Sequence, residues 1–154
     1  MNFELFLVPV DFTECSLVAL KYAIKFCAFP NCQIILINVV DSREAKKIAD
    51  YIKEPEEKVK ERLLNQAKQN LRKFLTQIDN GEKKIRDSIV SYGKPFQEIA
   101  IKARELQADV VIMGGYGSQG KGQIDEIFFG STVEKVIRLL PCPVLCVPMS
   151  WSVE

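Results

Sequence analysis

The chain of 154 residues contains no histidine at all. That absence removes Ser–His and Cys–His catalytic pairs, and imidazole metal sites, in one step. Any chemistry has to come from carboxylates, lysines or a ligand's own metal. An excess of charge of one sign is also missing, with 21 Lys and Arg against 20 Asp and Glu and a net charge of +1. No global field therefore draws the chain to nucleic acid or to a membrane surface. No apolar run approaches the roughly 20 residues needed to span a bilayer. The first residues, Met1-Asn2-Phe3-Glu4, carry an acid where a secretory leader has its basic segment. The expectation is a cytoplasmic protein.

Cysteine is modest in number and lacks framework spacing. Cys15, Cys27, Cys32, Cys142 and Cys146 are an odd count, which predicts reduced thiols in a reducing compartment. Cys142 and Cys146 are expected to share one face of a strand as buried packing rather than as a metal pair. A hydrophobic content of 47% and a charged content of 27% are ordinary for a soluble domain. The length fits one domain, residues 1–154, large enough to bury a core.

Glycine is scarce and unevenly placed. Five of the eight glycines lie between Gly114 and Gly122, and Gly130 is a sixth. Without a Cβ, such a stretch lets backbone N–H groups wrap a phosphate, and a following helix offers its N-terminal donors to the same anion. Three patterns compete for these residues. Gly115-x-Gly117-x-x-Gly120 satisfies a dinucleotide fingerprint, yet the region about 20 residues on, Leu139-Leu140-Pro141-Cys142-Pro143, holds no ribose-binding carboxylate. Gly115-x-x-x-x-Gly120-Lys121 approaches a Walker A loop, but Gly122 stands where Ser or Thr should bind Mg²⁺. The third is Gly117-x-x-Gly120, nine residues, then Gly130-Ser131.

Elsewhere the chain alternates apolar runs with helical periodicity. Leu5 to Val10 and Gln33 to Val40 read as strands buried on both faces. Between them Thr13 or Ser16 caps a helix with Leu17, Leu20, Ile24 and Cys27 at helical spacing, broken at Pro30-Asn31. Ser42 to Lys53 is polar and irregular, a loop or short helix. The stripe Val59, Leu63, Ala67, Leu71 and Phe74 marks a long amphipathic helix, acidic at its start and basic at its end. Asn80-Gly81 is a turn before a strand at Ile85 to Tyr92. A helix follows Pro95, then a strand from Asp109 to Met113. Ser131 with Glu134 forms a capping-box pattern opening a last helix, and Val144 to Val147 is the final strand. Alternation of this kind predicts a three-layer α/β domain with a mostly parallel sheet.

The third glycine pattern, in this context, resembles the nucleotide-binding signature of the universal stress protein family, and the likeness extends along almost the whole chain. Leu5-Phe6-Leu7-Val8-Pro9-Val10-Asp11 matches the family's first strand and Pro-x-Asp turn. Asn38-Val39-Val40-Asp41 matches the end of the second strand, where many members carry a histidine before the valine. Ala108 to Gly114 and Pro141 to Pro148 match the fourth and last strands. In the family the glycine pair usually follows the strand end directly, which would make Gly114 and Gly117 the pair. That leaves twelve residues before Gly130, three too many, so both pairs stay open with Gly117 in common.

The resemblance implies a five-stranded open sheet in the order 3-2-1-4-5 with helices on both faces. Strands 1 and 4 then leave a ligand crevice at their carboxyl ends. It implies an adenine-nucleotide-binding stress-response regulator, taking ATP or AMP with Mg²⁺ through the phosphates. Pro9, Val10, Val39 and Met113 would surround the adenine, and Asp11 would accept hydrogen bonds from the adenosine half. Gly114, Gly117, Gly120, Gly130, Ser131 and Thr132 would surround the phosphates. No catalytic residue and no protein metal ligand is assigned; at most slow ATP hydrolysis is expected. The alternative is a dimeric stress-related interaction module that binds no nucleotide. Either would dimerise through the apolar edge Val144-Leu145-Cys146-Val147, with Met149 and Trp151 extending the contact.

Overall fold

The computed structural model describes residues 3–79, 82–115, 131–139 and 141–150. Ten main elements alternate along it. They are β1 (Leu5–Pro9), α1 (Glu14–Phe26), β2 (Gln33–Asp41), α2 (Ser42–Ile52), α3 (Glu56–Leu75), β3 (Ile85–Gly93), α4 (Pro95–Glu105), β4 (Val110–Gly114), α5 (Ser131–Leu139) and β5 (Val144–Val147). The strands form one sheet in the order β3-β2-β1-β4-β5, and every pairing is parallel. This is the order that the resemblance implies.

Side chains alternate across the sheet, as the period of two requires. Phe6, Val8, Val10, Ile34, Leu36, Val110, Ile112 and Val147 enter a core with Ala19, Leu20 and Ala23 of α1 and Leu71 and Phe74 of α3. Leu7, Ile35, Ile37, Val111 and Met113 enter the opposite core with Ile99 and Ala103 of α4 and Val133 and Val136 of α5. Both faces of the central strands are thus covered, which explains their continuous apolar runs. Helices α1 and α3 cover one face and α4 and α5 the other, so β1 and β4 send their crossovers to opposite sides. Their carboxyl ends therefore frame the switch point of the fold.

Local chemistry accounts for the element ends. Thr13 caps α1, its side chain accepting from Ser16 N. In α3, Val59, Ala67, Leu71 and Phe74 are buried, with Glu56 and Glu57 in the first turn and Arg72 and Lys73 in the last. The segment left between loop and helix is helical: Asp41 caps α2, which seats Ala45 and Ala49 against Val59 in a small satellite core. These contacts are small, so the apolar signal in the sequence is weak. Asn80 and Gly81 lie outside the described residues.

One expectation is overturned. Cys27 and Cys32 form a disulfide, with Cα atoms 5.4 Å apart, so not all five cysteines are free thiols. The chain leaves α1 at Phe26, turns through Pro30-Asn31 and enters β2 at Gln33, which returns one buried cysteine to the other. A count of cysteines is blind to that turn. Cys15, Cys142 and Cys146 remain thiols. Cys142 and Cys146 do pack on one core, although Cys142 precedes β5 rather than lying in it. Burial pushes both of these thiols up from their ordinary pKa.

Candidate functional site

The chain passes from the sheet into α1 through a turn built on Asp11. Val10 N–H still donates to Ile37 O at 2.9 Å, extending the β1–β2 ladder by one residue. Beyond it the Asp11 carboxylate accepts from Thr13 N–H at 3.1 Å and from the Thr13 hydroxyl. Asp11 N–H in turn donates to Ser16 Oγ at 3.3 Å. The carboxylate thus lies exposed at the mouth, bound to the residue that caps α1.

Asn38 braces this turn from β2. It is 7% exposed, and its Nδ2 donates to Val10 O at 2.8 Å. No sequence motif assigns this role, although Asn38 is the single polar residue within the run Ile34 to Val40. A buried polar group of this kind needs a partner, and its signal lay in that isolation.

Gly114 closes the other side. A Cβ there would lie 2.7 Å from Cys15 O and 2.9 Å from Cys15 C, so the end of β4 rests on the first turn of α1. Gly115 N–H then donates to Val147 O at 2.9 Å. Beyond β5, Met149 Sδ lies 3.5 Å from Cys15 Sγ. This contact ties the segment after β5 to the first turn of α1. Trp151 lies outside the described residues.

The predicted adenine-side residues separate by face. Val10 packs into the α1/α3 core, whereas Val39 and Met113 face the α4/α5 core. Pro9 alternates with Val10 and so lies on the α4/α5 side of β1. Pro9, Val39 and Met113 therefore line one face of the three adjacent strands β2, β1 and β4. Val10 has only its backbone to offer there, and Met113, 5% exposed, is mostly core.

Among the predicted phosphate-side residues, Ser131 begins α5 and Thr132, half-buried, follows it. Because the strands are parallel, this helix start lies at their carboxyl edge, where its N–H donors face the crevice side. Glu134 accepts from Arg138 Nη2 at 2.7 Å, an interaction one turn along the helix. Gly117, Gly120 and Gly130 lie outside the described residues. The described part of the site combines hydrogen-bond acceptors, an apolar strand face and a helix N-terminus. That set suits an aromatic base joined to an anion.

A sequence model described as the universal stress protein family matches residues 2–148. Universal stress protein MJ0577 of Methanocaldococcus jannaschii is 33% identical over 153 residues, covering 92% of each chain. Its solved structure superposes with a TM-score of 0.81 at 29% identity, covering 99% of this chain and 100% of that one. More distant folds include a universal stress protein in complex with cAMP, at TM-score 0.59 and 20% identity, covering 97% and 100% of the two chains. Another is a universal stress protein of Archaeoglobus fulgidus in complex with dAMP, at TM-score 0.51 and 18% identity, covering 95% and 98%. With the family's sequence pattern spanning nearly the whole chain and its sheet reproduced strand for strand, the chain belongs to the universal stress protein family.

Proposed function

We propose that this protein is an adenine-nucleotide-binding stress-response regulator that takes ATP or AMP in the crevice beyond β1 and β4. The observation that carries the reading is the meeting of the Asp11 turn, braced by Asn38, with the Gly114 strand end at the switch point of the sheet. Relatives of the same fold solved with cAMP and dAMP support the ligand class.

In this reading the base lies along Pro9, Val39 and Met113, with the backbone of Val10 beside it. Asp11 accepts from the adenosine half. Gly114, Gly117, Gly120 and Gly130 let the chain run close to the phosphates, and Ser131 and Thr132 supply donors at the start of α5. Mg²⁺ enters on the phosphates. Fast phosphoryl transfer needs a positioned base and metal ligands, and a chain without histidine or a Walker Ser/Thr offers neither in recognisable form. Binding with at most slow hydrolysis follows.

Calorimetric titration of nucleotide-stripped protein with AMP, and with ATP and Mg²⁺, tests this directly. Binding in the micromolar range, lost when Gly130→Val is combined with Ser131→Ala, is the expected result. A correctly folded wild-type protein that takes up neither nucleotide would leave the second reading, a dimeric interaction module. One observation favours that reading: β5, at the edge of the sheet, carries no charge on its four residues, a composition suited to pairing.

A further inference from the structure

Phe12 has a backbone φ of 66°. Such a value is uncommon for any residue with a Cβ and an outlier for a bulky one. The two other non-glycine residues with positive φ among the described residues, Lys53 and Gln107, have a ready explanation. Lys53 caps the end of α2 and Gln107 follows the last turn of α4, positions where helices commonly finish in the left-handed region. Phe12 precedes a helix instead, so no helix end accounts for it.

Two sets of contacts surround Phe12. On its flanks, the Asp11 carboxylate holds Thr13 N–H and hydroxyl, and Asp11 N–H is held by Ser16. Its own ring sits edge-on against Phe74 in the last turn of α3, with centroids 5.8 Å apart and planes at 70°. The ring packs on the α1/α3 core while its neighbour Asp11 stays exposed at the crevice mouth. A right-handed residue at this position would turn either the ring out of the core or the carboxylate away from Thr13.

We infer that Phe12 is a positioning residue for the crevice: the seating of its ring on Phe74 holds the left-handed turn that aims Asp11 and Thr13. The inference rests on the nucleotide reading for what is bound, and on the turn itself for the mechanism. It separates Phe12 from an ordinary core residue, because backbone handedness and ring packing make opposite predictions for two truncations. Alanine removes the ring and disfavours φ > 0, whereas glycine removes as much of the ring and enters the left-handed region freely.

The test compares AMP affinity and unfolding for wild type, Phe12→Ala, Phe12→Gly and Phe74→Leu, the last leaving residue 12 native. Without the anchor the competent turn is a minority state in Phe12→Ala, and affinity falls about tenfold. Phe12→Gly is expected to fall only about twofold to threefold, because glycine visits both hands about equally. Phe74→Leu should lie between wild type and Phe12→Ala. Equal affinities in all four proteins, or glycine weaker than alanine, would overturn the positioning role.

A second readout needs no ligand: the NMR coupling across the residue 12 amide and the exchange protection of the Thr13 amide. Protection lost in Phe12→Ala and largely kept in Phe12→Gly supports the inference. Wild-type protection in Phe12→Ala overturns it. If wild-type protein binds no AMP, the nucleotide reading fails, and the NMR measurements still decide whether Phe12 holds the turn.

Discussion

Gly114 shows how one residue can serve two demands. Its place in the glycine cluster drew attention to phosphate binding, but its described contact is with the Cys15 carbonyl, 2.7 Å from where a Cβ would lie. The obstacle is backbone, which cannot swing aside as a flexible side chain can. Gly114→Ala is therefore expected to destabilise the fold by about 1–3 kcal/mol, as overpacking does, whether or not nucleotide is present. Urea unfolding of the apo protein checks this, and a wild-type midpoint would remove the packing role. Asn38 makes the complementary point. Its polarity in an apolar strand was visible in the sequence, but its partner was not, because the Val10 carbonyl lies on the neighbouring strand. Likewise, no local pattern announces a left-handed Phe12, since its cause is a ring on α3.

At the scale of elements, α2 depends on its cap more than on its core. Only Ala45 and Ala49 are buried, so Asp41 carries a large share of the helix signal. Its carboxylate accepts from Arg43 N–H at 2.9 Å, Nε at 3.0 Å and Nη2 at 2.8 Å. The Arg43 guanidinium beside it holds the Asp41 pKa below the ordinary carboxylate value. A pKa depressed on folding stabilises the protein above the unfolded value and loses that contribution as the pH falls through the folded one. Asp41→Ala should thus cost about 1 kcal/mol at neutral pH. The difference from wild type should shrink below about pH 4. Thermal unfolding of both proteins across that range is the measurement; a difference independent of pH would dismiss the ionised cap. The junction of α1 and β2 has its own constraint in Cys27–Cys32, which closes a short loop. Replacing both cysteines with alanine should lower stability by about 2 kcal/mol in non-reducing buffer. Under reducing conditions the loss relative to wild type should largely disappear. Wild-type stability that does not respond to reductant would contradict this.

For the whole molecule, the two edges of the sheet differ. β3 carries Arg86 and Asp87, and its pairing with β2 shifts register near Ile34, both of which discourage a further strand. β5 has neither device. Val111 N–H donates to Pro143 O and Gly115 N–H to Val147 O, so the odd-numbered residues of this segment bond to β4. In a parallel ladder the even-numbered ones, Val144 and Cys146, then direct their backbone groups to the open edge. If β5 pairs with a second copy, Cys146→Pro removes one intermolecular donor without touching the β4 ladder. The expected result is a wild-type dimer and a monomeric or weakened variant by light scattering; equal masses would place any interface elsewhere. At this scale the sequence alone determined the α/β class, the succession of strands and helices, and the burial of the central strands on both faces. Those properties follow from side-chain period and helix ends, which are local. The strand order came through resemblance to a family rather than from periodicity. Tertiary structure decided the Cys27–Cys32 bond, the seat of Gly114 on Cys15, the brace from Asn38 to Val10, and the hand of the turn at Phe12. Each depends on where the folded chain returns in space, and residue spacing carries no record of that.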